Sequence, residues 1–145
     1  MLPRSRASAA PSHTARVKQA ARDQGREVRT LINPMMVCRE TEAEAKAYHD
    51  AIIDHADAAS PLGFQTFDSD AHAWRGRQGR DLPTHRALGG NIQIIGSPEQ
   101  VVQHILRLHA AGIDGIQLSF FDFLPDLEFF GEWVLPLLKQ AGLRR

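Results

Sequence analysis

A group of side chains suited to act on a small substrate lies within Ser-Asp-Ala-His-Ala-Trp-Arg at residues 69–75. His72, Trp74 and Arg75 bring an imidazole, an indole and a guanidinium close together. They belong to residues 61–88, which hold three glycines and show no sustained hydrophobic period. A break of this length in a compact domain is usually functional or disordered. The sequence therefore predicts either a solvated loop, with Trp74 packed on the protein body, or a lid that excludes water from an active site.

Motifs of several other enzyme classes are absent. The chain has no Gly-x-Gly-x-x-Gly, no Gly-x-x-x-x-Gly-Lys and no Gly-x-Ser-x-Gly. None of the seven histidines has metal-ligand spacing beside a carboxylate, and His104 and His109 fall largely on different faces of a helix. We predict no metal site. Arg39 would lower the pKa of the Cys38 thiol, but a half-buried, unreactive thiol is the favoured interpretation.

The composition is that of one globular domain. The 145 residues are 43% hydrophobic and 23% charged, with a formal net charge of zero, so the whole molecule offers no general attraction to nucleic acid or an anionic membrane. A single cysteine excludes an internal disulfide and fits a reducing, cytoplasmic compartment. No apolar run is long enough to span a membrane, and the N-terminus lacks the core of a secretory signal.

Residues 1–13 are predicted to form a disordered basic tail. Seven Lys or Arg residues against two acidic ones lie in residues 1–30. A frayed terminus is the favoured interpretation, and a transit peptide is the alternative.

The first half of the remaining chain predicts helix, strand and helix. Thr14–Gln24 is typical of a short polar helix. Val28–Val37 reads as a strand interrupted by Pro34, which implies a bulge or an edge position because proline cannot donate to a sheet. A capping box at Thr41–Glu44 then opens an alanine-rich helix that is expected to reach about Ser60.

The second half predicts a strand, a crossover helix and a strand. Ile92–Ile95 and Ile116–Phe120 are short apolar runs of strand type. Ser97–Gln100 is a capping box with proline at the first helical position, and Gly112 suits the end of that helix. The two strands should be parallel and the crossover right-handed.

The last segment, Leu124–Leu143, is predicted to be helical with a kink at about Leu135, just before Pro136. The aromatic side chains around it favour a core or a subunit interface over a cofactor site. These are Phe120, Phe121, Phe123, Phe129, Phe130 and Trp133.

Three passages resemble the bacterial-luciferase-like, flavin-dependent monooxygenases, closest to their dimethyl-sulfone monooxygenase group. They are Ser-Asp-Ala-His-Ala-Trp-Arg-Gly (69–76), Gly-Gly-Asn-Ile-Gln-Ile-Ile-Gly-Ser-Pro-Glu-Gln (89–100), and the run from Ala111 to Glu132 that contains Gly-Ile-Gln-Leu-Ser-Phe-Phe-Asp-Phe. Asn33-Pro34 and the helix from Thr41 are also similar. The resemblance covers about Thr14 to Arg144.

The resemblance implies a TIM-type (β/α)8 barrel and an oxidoreductase that uses reduced FMN and molecular oxygen. A separate flavin reductase would supply the reduced FMN, and a flavin hydroperoxide would insert one oxygen atom into a small organosulfur substrate such as a sulfone, cleaving a carbon–sulfur bond. Neither nucleic acid nor a membrane is an expected partner.

A complete barrel needs about 250 residues, so residues 14–145 are expected to be only its C-terminal part. The strand candidates would be the last three strands, each with its helix, and 61–88 would be an inserted lid loop. Family residues that contact FMN from earlier strands have no counterpart here, so this fragment is not expected to hold FMN tightly by itself.

Catalytic groups of a barrel lie at the carboxyl ends of its strands. By that rule Gln117, Ser119 and Phe121 are expected near the substrate, with His72, Trp74 and Arg75 above them. Asp122 is expected mainly to cap the last helix. No individual catalytic or FMN-binding residue follows from the resemblance.

Two hypotheses follow. The chain is a piece of a monooxygenase whose missing half is supplied by another chain or was lost from the gene model, or it is a non-catalytic α/β remnant that binds a partner through an exposed sheet edge. Such an edge would also favour a homo-oligomer.

Overall fold

The computed structural model describes residues 12–55 and 92–144. The predictions for residues before 12, for the helix beyond 55 and for 61–88 lie outside these residues. The elements, in chain order, are α1 (His13–Asp23), β1 (Leu31–Ile32), β2 (Met35–Cys38), α2 (Glu42–Asp54), β3 (Gln93–Gly96), α3 (Pro98–Ala110), β4 (Gly115–Ile116), β5 (Ser119–Phe120), α4 (Phe123–Phe129), a π-helical turn (Phe130–Val134) and α5 (Leu135–Gln140).

The first helix begins one residue earlier than predicted. The Ser12 hydroxyl accepts a hydrogen bond from the backbone N–H of Ala15, so Ser12 caps α1 and His13 is its first residue. Residues 12 and 13 therefore belong to the helix start and not to the tail. The helix ends before Gly25, whose φ of 68° lies in the left-handed region that favours glycine.

All strand pairs are parallel, as predicted. Leu31 of β1 pairs with Gly115 of β4, and Met35 of β2 pairs with Ser119 of β5. The partners are 84 residues apart in both pairs, as are Thr30 and Asp114 beside them. The pairing of β1 with β4 therefore continues in the same register into the pairing of β2 with β5. Both sides are interrupted at the same level, at Asn33-Pro34 and at residues 117–118.

The order of the strands differs from that of three consecutive barrel strands. Neighbours in sequence are neighbours in a (β/α)8 barrel, which would put β3 in the middle. β2 instead lies between β3 and β5. The assignment of residues 92–95 as the middle one of three consecutive strands is therefore wrong. Pro34 does interrupt the strand, but β2 is not an edge strand, because β3 and β5 occupy its two sides.

Both predicted capping boxes are confirmed. Thr41 and Glu44 exchange hydrogen bonds between side chain and backbone at the start of α2, and Ser97 and Gln100 do so at the start of α3. The Gln100 amide also donates to Glu42 at 2.7 Å. The first turns of α2 and α3 are thereby joined at the carboxyl ends of the strands.

The last predicted helix is divided, as Pro136 suggested. A π-helical turn separates α4 from α5 and ends at Val134, immediately before the predicted kink at Leu135. Proline has no N–H for the α-helical ladder, and an inserted residue in a π turn accommodates such a disruption. The aromatic cluster is partly core: Phe120 and Phe130 are buried, with ring centroids 5.9 Å apart, whereas Trp133 is exposed and stacks on Phe129.

Helices α3, α4 and α5 cover one face of the sheet. The main core lies between them and the even-numbered strand residues. Its members are Met36, Cys38, Ile94, Val101, Val102, Ile105, Phe120, Phe130, Val134 and Leu138, with Ile116 and Leu118 packed against it.

The opposite face carries the odd-numbered strand residues, because side chains alternate along a strand. α2 contacts this face, where His49 Nε2 lies 3.0 Å from the Gln93 side-chain oxygen. Leu31 is on the same face and is 66% exposed. The sheet thus has one closed, apolar face and one partly open face, and the open face holds the candidate site.

Candidate functional site

Three residues predicted near a substrate, Gln117, Ser119 and Phe121, precede, begin and follow β5, and the alternation of side chains assigns them to the open face. Gln117 and Phe121 are exposed, Phe121 by 53%, and Ser119 is half-buried. Leu118 packs against the core on the opposite side, as the alternation predicts. The other three, His72, Trp74 and Arg75, lie outside the described residues.

Ser119 makes a side-chain contact across the strand pair. Its hydroxyl donates to Asn33 Oδ1 at 2.7 Å. Asn33 stands in the interruption before β2, which places its side chain beside Ser119 at the start of β5. Sequence reasoning identified Ser119 but did not assign Asn33 to the site. The signal that could have indicated Asn33 was its position directly before Pro34, where the strand is interrupted.

A second polar group lies where β2 ends. Arg39 Nη1 donates to the Cys38 carbonyl oxygen at 2.7 Å and to Asp126 Oδ1 at 2.8 Å. The guanidinium carbon is 3.9 Å from the centroid of the Tyr48 ring, which is cation–π geometry. Arg39 thereby connects β2 with α2 and α4.

Asp126 is only 4% exposed and is the buried charged residue of the described core. Its second oxygen accepts from the backbone N–H of Asp122 at 3.3 Å. Asp122 stands at the N-cap of α4 as expected, but its side chain makes no capping hydrogen bond. The expectation that Asp122 caps through its side chain is therefore wrong: the third helical residue is Pro125, which has no N–H for the carboxylate to accept from.

Burial dominates the titration of the two neighbouring groups. It raises the pKa of the Cys38 thiol to about 12, and the nearby Arg39 lowers that pKa by less. The pKa of Tyr48 is raised by burial and then by Asp126. Cys38 is 4% exposed, more deeply buried than predicted. The interpretation of Cys38 as an unreactive thiol is consistent with this environment.

The Arg39 group was missed by sequence reasoning. Arg39 and Asp126 are 87 residues apart, and no local pattern pairs them. Asp126 sits in the first turn of α4, where a carboxylate is ordinary. Its burial depends on how α4 crosses the end of β2, which the sequence pattern does not specify.

A cleft with a mainly apolar lining lies on the other side of the molecule. It has a volume of about 470 Å³ between α3, β4 and the last helices. Ile116, Leu118, Leu127 and Phe130 contribute to its walls. It is separated by the sheet from Ser119 and Asn33.

The described residues do not form a complete site for FMN. Ser119, Asn33 and Phe121 provide polar and aromatic contacts on one wall. A phosphate also needs a cation or free backbone N–H groups, and Arg39 is already bound to Asp126 and stacked on Tyr48. In this arrangement the Arg39 guanidinium is occupied by these contacts and does not face outward to bind a phosphate.

Two further features concern only residues 12–55 and 92–144, the part of the chain that the structure describes. Their His, Cys, Asp and Glu side chains form no group of three or more that could hold a metal ion. Their helices are too short or too polar to cross a lipid bilayer.

Comparison with known proteins identifies a family. The model of the "Luciferase-like monooxygenase" family matches residues 3–115. The FMNH(2)-dependent dimethylsulfone monooxygenase of Pseudomonas putida is 33% identical over 138 residues, which cover 90% of this chain and 37% of the relative. The pyrimidine monooxygenase RutA of Enterobacter cloacae subsp. cloacae is 32% identical over 131 residues, which cover 86% of this chain and 36% of the relative.

Solved structures agree on the fold. A crystal structure of riboflavin lyase (RcaE) with modified FMN and riboflavin matches with a TM-score of 0.68 at 19% identity. The match covers 91% of this chain and 36% of that one. This chain therefore spans a little over a third of the length of the relatives that it matches.

Proposed function

Since this chain belongs to the luciferase-like monooxygenase family, we propose that it forms the C-terminal part of a monooxygenase that uses reduced FMN and molecular oxygen. The proposed substrate is a small organosulfur compound such as a sulfone, and a separate flavin reductase supplies the reduced cofactor. The observation that carries the proposal is the 33% identity with a dimethylsulfone monooxygenase across 90% of the chain. We place the enzyme in the cytoplasm, in keeping with its single cysteine.

Ser119 and Asn33 are suited to bind an oxygen-bearing substrate. Because the Ser119 hydroxyl donates to Asn33 Oδ1, its oxygen lone pairs are free to accept a hydrogen bond. The Asn33 amide nitrogen carries two further donors. Sulfone oxygens accept hydrogen bonds and have none to donate to Ser119, so we assign the Asn33 amide the role of orienting the substrate and Ser119 the role of holding that amide in place.

Phe121 and Gln117 complete the wall that this chain provides. The exposed ring of Phe121 offers an apolar surface that would exclude water from a small substrate. Gln117 lies two residues before Ser119, on the same face by strand alternation. It is exposed and adds a polar amide. Reduced FMN, when bound, would activate molecular oxygen for transfer to the substrate. These side chains bind and orient the substrate beside it.

A non-catalytic interaction module is the second candidate. The engagement of Arg39 by Asp126 favours it, because the guanidinium at the end of β2 is not free for a cofactor phosphate. In this case the open face would bind a protein instead of a flavin.

Flavin titration of the purified chain, alone and with the remaining part of a relative's barrel, separates the two functions. We expect weak FMN binding by the chain alone and tight binding by the complemented barrel. The complemented barrel, given reduced FMN, isotopically labelled oxygen and dimethyl sulfone, should yield labelled product, and Ser119→Ala should reduce that yield. A complemented barrel that binds FMN but produces no labelled product would reject the proposed substrate class. One that does not bind FMN would favour the interaction module.

A further inference from the structure

The open face carries a row of three side chains from three neighbouring strands. Met35 of β2 pairs with Gln93 of β3 on one side and with Ser119 of β5 on the other. Register partners in a parallel sheet point to the same face, so these side chains stand side by side. All three are half-buried. Gln93 therefore belongs to the same wall as Ser119, on the far side of Met35.

The Gln93 side chain is held by helix α2. His49 Nε2 lies 3.0 Å from Gln93 Oε1. Because an amide oxygen can only accept, Nε2 is the donor in this contact. Asp50 Oδ1 lies 3.3 Å from Nδ1 on the other side of the ring, and the His49 side chain is only 13% exposed. The imidazole thus fixes the oxygen end of the Gln93 amide and leaves its nitrogen to donate elsewhere.

The Asn33 amide is fixed in the same way. Its oxygen accepts from the Ser119 hydroxyl, on the side of β5. Since the oxygen and the nitrogen of an amide point to different sides of the side chain, the Asn33 nitrogen is turned toward β3. Asn33 stands two residues before Met35 and is the diagonal neighbour of Gln93, about 8 Å away between Cα atoms in a regular sheet. Among the described residues, neither amide nitrogen has a hydrogen-bond partner.

Two amide donors on either side of one position match a ligand group that carries two acceptor oxygens on one atom. A sulfone has this arrangement, whereas a sulfoxide has one such oxygen and a sulfide has none. We propose that Gln93 is a second substrate-binding residue, whose amide donates to one sulfone oxygen while the Asn33 amide donates to the other, and that His49 is its positioning residue. This role of Gln93 rests on the proposed function, because it concerns the same substrate on the same face of the sheet.

NMR of the full 145-residue chain tests the two donors without reference to turnover. The side-chain amide resonances of Asn33 and Gln93 are followed as dimethyl sulfone, dimethyl sulfoxide or dimethyl sulfide is added. The sulfone should shift both amides along one saturable curve. The sulfoxide should bind about tenfold more weakly, since one donor then stays unpaired. The sulfide should shift neither amide.

An isosteric substitution separates binding by Gln93 from support of the fold. Gln93→Glu keeps the oxygen that His49 holds but replaces the amide nitrogen with an acceptor, which repels a sulfone oxygen. It should weaken sulfone binding by about tenfold or more, and its melting temperature verifies its folding. Gln103→Glu is the matched control, at an exposed residue of α3 on the other side of the sheet. It should bind the sulfone as the wild-type chain does.

Substitutions of His49 test whether it acts through Gln93. His49→Gln retains a side-chain N–H that can take the place of Nε2, so it should bind the sulfone nearly as well as the wild-type chain. His49→Phe keeps a ring but removes the donor and should weaken binding about three- to tenfold. Equal binding by the two folded variants would show that His49 does not position the Gln93 amide.

Four results would overturn the role of Gln93: sulfone shifts at Asn33 alone, no saturable shift at either amide, equal affinity for sulfone and sulfoxide, or normal sulfone binding by folded Gln93→Glu. The first would leave the proposed function intact, because Asn33 alone would then orient the substrate. Shifts at both amides, with no labelled product from the complemented barrel, would reject the proposed function and support the two-donor site.

Discussion

Arg39 and Asp126 form an ion pair, with Nη1 and Oδ1 2.8 Å apart, between the end of β2 and the first turn of α4. Asp126 is nearly inaccessible, whereas the Arg39 side chain remains 25% exposed. A carboxylate in this environment depends on its partner, because an unpaired buried charge is costly. The pair therefore fixes how the last helices cross the carboxyl ends of the strands.

We expect Asp126→Asn to lower the free energy of unfolding by about 1.5–3 kcal/mol, the usual range for a hydrogen bond to a charged group. Urea denaturation measures the change. Asp122→Asn is the matched control: it is a carboxylate four residues away, exposed and without a capping hydrogen bond, and should change stability by less than about 0.5 kcal/mol. Equal effects of the two substitutions would show that the ion pair does not fix α4.

Asp114 should titrate well below an ordinary aspartate. Hydrogen bonds from Lys18 and from the backbone of Thr30 lower its pKa from 3.8 to about 2. Because the folded pKa is below the unfolded value, the stabilisation is present above the unfolded pKa of 3.8 and is lost as pH falls toward 2. NMR titration of the carboxyl carbon should give a midpoint near the lower value, and Lys18→Met should raise it. A midpoint unchanged by Lys18→Met would mean that the Lys18 contact is absent in solution.

Gly112 and Gly131 should respond oppositely to alanine. Gly112 has a φ of 94°, and an added Cβ would lie 3.3 Å from the Thr14 side chain. Gly112→Ala should therefore destabilise the chain by about 1 kcal/mol or more. Gly131 is in the π-helical turn with open space around it, so Gly131→Ala should be neutral or stabilising by up to about 1 kcal/mol. Thermal melts compare the two, and a stable Gly112→Ala protein would contradict the left-handed helix end.

Cys38 should resist alkylation while the chain is folded. The thiolate is the reactive form, and burial raises the thiol pKa to about 12. Iodoacetamide at mildly alkaline pH should therefore label Cys38 only through opening of the core, at a rate that increases with urea. Asp126→Asn, which loosens α4, should accelerate labelling, whereas Asp122→Asn should not. Rapid labelling of the folded wild-type chain would show that the end of β2 is accessible.

The local structure was largely predictable, because its determinants are adjacent in sequence. The capping boxes at Thr41 and Ser97 each need only four residues, and both formed as predicted. Strand order was not predictable in this way. β2 has two edges, one paired with Gln93–Gly96 and the other with Ser119–Phe120. Hydrophobic periodicity does not indicate which strands become neighbours.

The candidate site was predictable only in part for the same reason. Ser119 followed from the barrel rule and alternation along one strand, whereas its partner Asn33 lies 86 residues away. The Arg39–Asp126 pair is equally remote in sequence. The family resemblance supplied the fold and the chemistry, but contacts of this range depend on packing that local patterns do not determine.

The two faces of β4 and β5 should separate stability from turnover in a completed barrel. Leu118 packs against the core, so Leu118→Ala should lower the free energy of unfolding by about 2 kcal/mol, the low end for a leucine that is only partly buried. Gln117→Ala should leave the melting temperature unchanged, because Gln117 is exposed, but should reduce kcat/KM for the sulfone if its amide contacts the substrate. Ser119→Ala should lower both the free energy of unfolding and kcat/KM, each to a smaller degree, because it loses the hydrogen bond to Asn33. Steady-state kinetics beside thermal melts distinguish these outcomes. Normal turnover of Gln117→Ala and Ser119→Ala, with turnover impaired only in Leu118→Ala at temperatures where the barrel stays folded, would place the substrate on the closed face. The assignment of the site to the open face would then be wrong.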